Sequence, residues 1–180
     1  MAQVEHGSCF AGVLAELLWA VDRSYMMEHE FEGDNRPIAK ITLSNDNFGT
    51  YPMGNGLSRL ETRFLDEVEH IEALKAQIGE PMEADDADEN GLVTMLLDDI
   101  DWEDEIRIFL EERASFSPDA MTGMEANLRF AGPETMETRI FGRLTAWQNW
   151  IFNRPNAVGE DGALQRYGTG LRGNYNMERV

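Results

Sequence analysis

The stretch GSCFAGVLAELLWAVD, residues 7–22, decides the fold prediction. Its small residues are typical of a turn, and the apolar run after them is typical of a helix. Apolar side chains recur there at helical spacing and predict a stripe packed on a core: Leu14, Leu17, Leu18, Val21 and Tyr25. Glu16 lies off this stripe, near a helix N-terminus where unpaired N–H groups and the helix dipole favour an anion. Glu16 is therefore either a surface carboxylate that the dipole favours or a group that transfers protons.

The remainder of residues 1–100 is predicted to form short strands and helices. In chain order we predict a strand end at 1–6, a strand at 37–43, a loop at 44–56, a helix at 57–78, a short acidic helix at 83–89 and a strand at 92–97. Residues 101–180 are predicted to be a second, helical region. It contains a helix at 102–114, a long helix from Pro133 that Pro155 ends, and an irregular glycine-rich tail at 159–173.

Composition limits the class of protein. The 180 residues carry a formal net charge of −19, whereas binding to nucleic-acid phosphates needs clustered basic charge, so we expect no nucleic-acid partner. No apolar run approaches the ~20 residues that span a bilayer, and we expect no membrane association. A single cysteine excludes an internal disulfide, and with no export signal expected we predict a cytoplasmic location.

The thiol and imidazole groups offer few chemical candidates. Cys9, at the turn before the helix, is either a nucleophile or a small buried packing residue, and we favour packing. His6, His29 and His70 show no metal-ligand spacing, and the acidic residues at 83–89 lack the pattern of a calcium loop. We therefore expect no metal site.

Three motifs in order carry a family resemblance. Residues 7–22 combine a glycine-containing turn with Glu16 and, six residues later, Asp22; NFGTYPMGNGLSRL follows at 47–60 and NGLVTMLL at 90–97. This arrangement resembles the crotonase (enoyl-CoA hydratase/isomerase) superfamily. The segment AGPETMETRIFGRLTAWQNWIFNRPNAVGEDGALQRYGTG, at 131–170, is similar to one branch of it, the benzoyl-CoA-dihydrodiol lyases of the epoxybenzoyl-CoA pathway.

The resemblance implies a fold and a set of site residues. The fold would be α/β of the crotonase type, with only the C-terminal part present: helix-rich, with two or three short strands. Glu16 would move protons near the thioester carbonyl, and the Val13 N–H, next to Gly12, would be one donor of an oxyanion hole. The position of a second glutamate in hydratases holds Asn45, which would orient a water or hydroxyl, unless the adjacent Asp46 replaces the missing acid.

The resemblance also implies a reaction and partners. The enzyme would be a lyase that takes the 2,3-epoxide or dihydrodiol of benzoyl-CoA, adds water, breaks a ring carbon–carbon bond and releases formate in aerobic benzoate catabolism. The substrate would be a CoA thioester and no further cofactor would be needed. We expect a homo-oligomer or association with an N-terminal part of the same enzyme; the alternatives are an enoyl-CoA hydratase/isomerase or a non-catalytic fragment or subunit.

The C-terminal arginines have two further interpretations. Arg139, Arg143 and Arg154 would meet a CoA phosphate or an acidic neighbouring subunit, since arginine offers a planar fork of donors. They would otherwise be ordinary solubilising surface charges.

Overall fold

The computed structural model describes residues 1–29, 33, 35–129 and 134–179. It divides into two compact units, residues 1–105 and residues 106–180. The elements of the first are β1 (Ala2–Val4), β2 (Phe10–Ala11), a 3₁₀ turn (Gly12–Ala15), α1 (Glu16–Ala20), β3 (Ser24–Met27), β4 (Ile41–Thr42), a 3₁₀ turn (Asn45–Phe48), α2 (Arg59–Arg63), α3 (Val68–Lys75), β5 (Pro81–Met82), α4 (Ala84–Glu89) and β6 (Met95–Leu97). Helix α5 (Trp102–Ala114) contains residues of both units.

The second unit is helical in its described part. Its elements after α5 are α6 (Pro118–Leu128), a π-helical segment (Thr138–Leu144), α7 (Thr145–Ile151), α8 (Pro155–Val158), α9 (Ala163–Arg166) and a 3₁₀ turn (Met177–Arg179). Across the described ranges, no helix is long and apolar enough to cross a membrane.

Two three-stranded sheets organise the first unit. One has the order β1-β3-β6 with all strands parallel, and Tyr25 of β3 lies opposite Gln3 of β1 and Met95 of β6. The other has the order β2-β4-β5, in which β2 and β4 are parallel and β4 and β5 antiparallel. Parallel neighbours need a crossover connection. The segment from β1 to β3 supplies one, and it contains the turn and helix α1.

The core of the first unit is a single cluster of apolar side chains contributed by sheets and helices. Its fully buried members include Val4, Leu18, Met26, Ile41, Leu43, Leu60, Leu74 and Leu92. Burial of each such side chain contributes about 1.5–3 kcal/mol to folding. This cluster fixes α1 and α2 against the sheets, and the site described below is formed where these two helices begin.

The predicted apolar stripe after residue 14 is wrong in part. Leu18 is buried, but Leu14 and Leu17 are 48% and 55% exposed. Helix α1 ends at Ala20, because Val21 adopts an extended backbone with φ −103° and ψ 164°. The helical period therefore does not continue, and Tyr25 is buried as a residue of strand β3.

The continuous helix predicted at 57–78 is also wrong. It consists of two helices, α2 and α3, separated by a turn in which Asp66 has a left-handed backbone with φ 68°. Val68, counted in the predicted apolar stripe, is 70% exposed at the start of α3. Leu60, Ile71 and Leu74 are buried as the period requires. A turn that preserves the spacing of buried residues on both sides cannot be distinguished from a helix by periodicity alone.

Most of the other predicted elements are present, several with shorter bounds, and one helix was not predicted. The short acidic helix corresponds to α4, the helix at 102–114 to α5, and the strands at 1–6, 37–43 and 92–97 to the shorter β1, β4 and β6. Pro133 lies outside the described residues; the described part of the predicted long helix is π-helical before it becomes α7. Helix α6 was not predicted, although Ser117 and Pro118 are a typical N-cap and first residue.

Candidate active site around Glu16

A tight turn places Glu16 at the start of α1. Gly12 has a left-handed backbone with φ 53°, and a Cβ at this position would lie 3.4 Å from the Ser44 Oγ. Glycine adopts this conformation without steric cost. The chain then continues through the 3₁₀ turn into α1, and the Glu16 side chain is buried, with the residue only 7% exposed.

Both oxygens of the Glu16 carboxylate accept a hydrogen bond. The Asn47 Nδ2 donates to Oε1 over 2.8 Å, and the Arg59 Nη1 donates to Oε2 over 3.0 Å. The second contact is also an ion pair, in which the arginine side chain retains 28% exposure and the glutamate side chain 10%. With a donor on each oxygen, the plane of the carboxylate is fixed.

Asn47 is fully buried and uses all of its hydrogen-bonding groups. Besides its bond to Glu16, its Nδ2 donates to the Gly12 carbonyl oxygen over 2.9 Å, and its Oδ1 accepts the Ser44 N–H over 2.9 Å. Ser44 in turn caps the 3₁₀ turn by accepting the Asp46 N–H over 3.2 Å. One amide thus connects the glycine turn, the carboxylate and the second 3₁₀ turn.

The capping of α2 positions Arg59. Ser58 is the N-cap, and its Oγ accepts the Glu61 N–H over 3.2 Å while its own N–H donates to the Glu61 Oε2 over 2.7 Å. These bonds from the Ser58 backbone and side chain lower the pKa of Glu61. Arg59 follows the cap directly as the first residue of the helix, so the capping box fixes where its side chain begins.

The structure brings only part of the predicted site together. Val13 lies in the 3₁₀ turn beside Gly12, with its side chain 47% exposed. Asn45 is exposed and Asp46 partly buried, and the hydrogen bonds that reach Glu16 come from Asn47 and Arg59 instead. The roles of Asn45 and Asp46 stay predictions.

Sequence reasoning missed Asn47 and Arg59, although both lie within the NFGTYPMGNGLSRL motif. The signal that points to Asn47 is the spacing of Ser44 and Asn47, which matches a capping box. No pattern in the sequence connects Arg59 to Glu16, because 43 residues separate them.

Cys9 does not have the predicted environment. The prediction of a buried packing thiol is wrong, because Cys9 is exposed. His6, by contrast, is buried, with its Nε2 2.7 Å from the His29 carbonyl oxygen. Within the described ranges, no group of three or more His, Cys, Asp or Glu side chains is arranged to hold a metal ion.

The C-terminal arginines are paired with carboxylates of their own unit. Arg143 and Arg139 approach Glu134 at 2.7 and 3.7 Å, and Arg154 approaches the buried Asp119 at 3.2 Å. The predicted contact of these arginines with a CoA phosphate stays a prediction.

Comparison with solved structures identifies the fold. A protein described as an enoyl-CoA hydratase/isomerase, from Mycobacterium abscessus, superimposes with a TM-score of 0.65 at 15% identity, covering 97% of this chain and 65% of that one. An enoyl-CoA hydratase of Geobacillus kaustophilus gives a TM-score of 0.62 at 18% identity, covering 92% and 57%. The chain has the crotonase fold. The predicted fold class, a helix-rich crotonase type with few short strands, is confirmed.

Sequence comparison adds a named relative. The chain is 55% identical over 179 residues to the benzoyl-CoA-dihydrodiol lyase of Aromatoleum evansii, covering 99% of this chain and 31% of that enzyme. The predicted resemblance to these lyases is thereby confirmed, and the chain spans about a third of the length of this curated relative. No model of a known protein family matches the chain.

Proposed function

We propose that this chain is part of a lyase that acts on ring-oxidised benzoyl-CoA, the 2,3-epoxide or dihydrodiol. The enzyme would add water, cleave a ring carbon–carbon bond and release formate, within aerobic benzoate catabolism. The observation that carries this proposal is the 55% identity, along almost the whole chain, to an enzyme named benzoyl-CoA-dihydrodiol lyase. Because the chain covers 31% of that enzyme, the activity is proposed for the whole protein of which this chain is a part.

Glu16 is the proton-transfer group in this proposal. Its carboxylate is buried, has a defined orientation and lies four residues after the Gly12 turn. A positioned carboxylate of this kind acts as a general base or acid and typically accelerates a step about 10²–10⁴-fold. The Val13 N–H, in the turn before it, would stabilise the enolate oxygen of the thioester.

The turn that carries Asn47 supplies the secondary candidates. Asn45 and Asp46 lie in this 3₁₀ turn, one or two residues before the amide that contacts Glu16. We propose that Asn45 orients a water or hydroxyl of the substrate, or that Asp46 exchanges a proton. No metal or redox cofactor takes part in this scheme, since CoA belongs to the substrate.

An enoyl-CoA hydratase or isomerase is the second candidate, favoured by the fold of the solved structures. Hydration with two carboxylates needs a second acid beside Glu16. Among the described residues, the groups bonded to Glu16 are an amide and a guanidinium. The amide of Asn45, at the position that the resemblance assigns to this second acid, favours the lyase. We further propose a cytoplasmic enzyme that forms a homo-oligomer or associates with its own N-terminal part.

The test is to assay Glu16→Gln in the whole protein with ring-oxidised benzoyl-CoA, measuring formate release by steady-state kinetics and thioester binding by calorimetry. We expect kcat to fall about 100-fold or more while the Kd changes little, because the amide keeps the shape and loses the transferable proton. Glu111→Gln is the matched control, since this glutamate is 67% exposed in α5. A wild-type protein that hydrates crotonyl-CoA but releases no formate would favour the hydratase.

A further inference from the structure

We infer that Asn47 and Arg59 are positioning residues, which hold the Glu16 carboxylate in one orientation for proton transfer. The inference rests on the proposed role of Glu16. Asn47 is buried and Arg59 is half-buried. Neither side chain is proposed to contact the substrate, and both act through Glu16.

Two donors from separate elements fix the carboxylate plane. Asn47 comes from the 3₁₀ turn after β4 and bonds Oε1; Arg59 comes from the first position of α2 and bonds Oε2. A carboxylate bonded through one oxygen still rotates about its last torsion, which is broad and roughly two-fold. Donors on both oxygens remove that freedom, and each oxygen keeps a further lone pair for a proton or a water.

Both hydrogens and the oxygen of the Asn47 amide are already bonded within the protein. Its two amide hydrogens go to Gly12 and Glu16, and its carbonyl oxygen accepts from Ser44. The amide therefore ties the Gly12 turn, which carries the Val13 N–H, directly to the carboxylate. A displacement of about 1 Å in such an arrangement costs about 10²-fold in rate, so this link would keep the two proposed reactive groups in register.

Arg59 supplies a positive charge next to the carboxylate. Its guanidinium lies 3.0 Å from Oε2 and donates a charge-assisted hydrogen bond to this oxygen. Lysine would keep the positive charge without the planar arrangement of donors. The two contributions of Arg59, charge and geometry, are therefore separable by substitution.

The experiment measures kcat, KM and the pH profile of kcat for four variants of the whole protein acting on ring-oxidised benzoyl-CoA. In Arg59→Gln we expect kcat to fall about 10–100-fold with KM within about threefold. Arg59→Lys should restore only part of kcat, because it keeps the charge without the planar donors. Asn47→Ala should lower kcat with KM little changed, and Asn47→Asp should lower kcat at least as much, because a carboxylate cannot donate to Glu16 and Gly12.

Matched controls separate this role from a general loss of charge or of an amide. Arg107→Gln removes an arginine paired with Glu111 on the exposed surface of α5, and Asn153→Ala removes an exposed amide that donates to the Asn149 carbonyl oxygen. Both should leave kcat and the pH profile unchanged. Circular dichroism and the thermal midpoint of each variant report whether it folds, and the conservative Arg59→Lys variant keeps the test valid if the others do not.

A double-substitution cycle decides the inference. If Asn47 and Arg59 act through Glu16, then Arg59→Gln and Asn47→Ala should cause no further loss of kcat in a Glu16→Gln background. The inference would be overturned if each substitution lowered kcat by the same factor in the Glu16→Gln background as in the wild type. It would also be overturned if the single variants had wild-type kcat and pH profiles. Either result would leave the proposed role of Glu16 intact. Full activity of Glu16→Gln would instead contradict the proposed function.

Discussion

The two units of the chain are stabilised by different kinds of contact. Residues 1–105 contain the apolar cluster and most of the buried side chains of the described residues. In the described part of residues 106–180, the buried apolar side chains are Phe109, Pro118 and Ala157, whereas Ser117, Asp119 and Asn156 are buried and polar. Apolar burial specifies the first unit, and hydrogen bonds specify much of the second.

The polar network of the second unit joins α6 to the tail. The Ser117 Oγ donates to the Asn156 carbonyl oxygen over 3.1 Å, and Asn156 exchanges two bonds with the backbone of Asn176, at 3.0 and 2.8 Å. Arg154 pairs with Asp119 and also stacks over the Trp150 ring at 4.7 Å. Each neutral hydrogen bond contributes only about 1 kcal/mol net, but leaving one partner buried and unpaired costs more. The second unit should therefore be sensitive to the loss of single polar groups.

Apolar side chains of the second unit remain at its surface. In the segment 134–151 the exposed ones are Met136, Ile140, Phe141 and Leu144. The comparison therefore predicts that the same substitution costs much more stability at a buried position of the first unit than at an exposed position of the second.

The largest contrast should come from paired leucine substitutions. Leu74 is fully buried, whereas Leu144 is 55% exposed. We expect Leu74→Ala to lower the free energy of unfolding by about 3–4 kcal/mol, from lost burial and a cavity, and Leu144→Ala by less than about 1 kcal/mol. Urea denaturation of this chain, followed by circular dichroism, measures both. Equal losses would contradict the distinction between the units.

The Asp119–Arg154 pair provides the next test. Asp119 is 1% exposed, and its Oδ2 has no hydrogen-bond partner among the described residues, whereas the arginine side chain is 24% exposed. Arg154→Met leaves a buried carboxylate uncompensated and should cost about 2–3 kcal/mol. Asp119→Asn removes the buried charge itself and should cost about half as much.

The same urea titration can compare these two variants with the double variant Asp119→Asn/Arg154→Met. The double variant should be more stable than Arg154→Met alone, because no buried charge is left unpaired. A larger loss in Asp119→Asn than in Arg154→Met would mean that the carboxylate serves another contact.

The sequence predicted the elements whose period and end signals agree. Helix α5, the short helix α4 and the Glu16 turn were recognisable because apolar spacing and turn residues point to the same bounds. The helix at 57–78 failed because the turn near Asp66 keeps the spacing of Leu60, Ile71 and Leu74. Periodicity records which residues are buried and does not record whether the backbone between them is continuous.

The site was predictable only where one segment forms it. Gly12, Val13 and Glu16 all lie in one short segment, so the pattern of the turn and helix predicts all three. Asn47 and Arg59 reach Glu16 from 31 and 43 residues away, and this contact depends on how β4 and α2 pack. Burial of Cys9 was wrongly predicted because the residue type favours the interior, whereas the turn places this thiol outside.

N-cap serines allow a finer comparison of the units. Ser58 caps α2 with a reciprocal bond to Glu61, whereas Ser117 caps α6, where Ala120 occupies the corresponding third position. Either serine-to-alanine substitution should cost about 1 kcal/mol at pH 7. Because the pKa of Glu61 is lowered in the fold, its contribution is present at neutral pH and is lost as the pH falls below the ordinary range of a glutamate towards this lower pKa. The cost of Ser58→Ala should therefore shrink over this range.

Thermal unfolding at pH 7 and pH 3.5 measures these costs. The cost of Ser117→Ala should change less between the two pH values, since no carboxylate completes that cap. An equal pH dependence in both variants would contradict the assignment of the low pKa of Glu61 to its bonds with Ser58.

Cys9 should give the smallest effect, although it lies in the stretch that decides the fold. Because its side chain is exposed, replacing it with alanine removes little packing and opens no cavity, so the free energy of unfolding should change by less than about 0.5 kcal/mol. Turnover should also be retained, since the contacts of Glu16 come from Asn47 and Arg59. The folded chain should react with a disulfide reagent such as Ellman's reagent without prior unfolding, and the product should keep its circular dichroism spectrum. Labelling that requires denaturant would show that this thiol is buried. A loss of unfolding free energy comparable to that of Leu74→Ala would show the same.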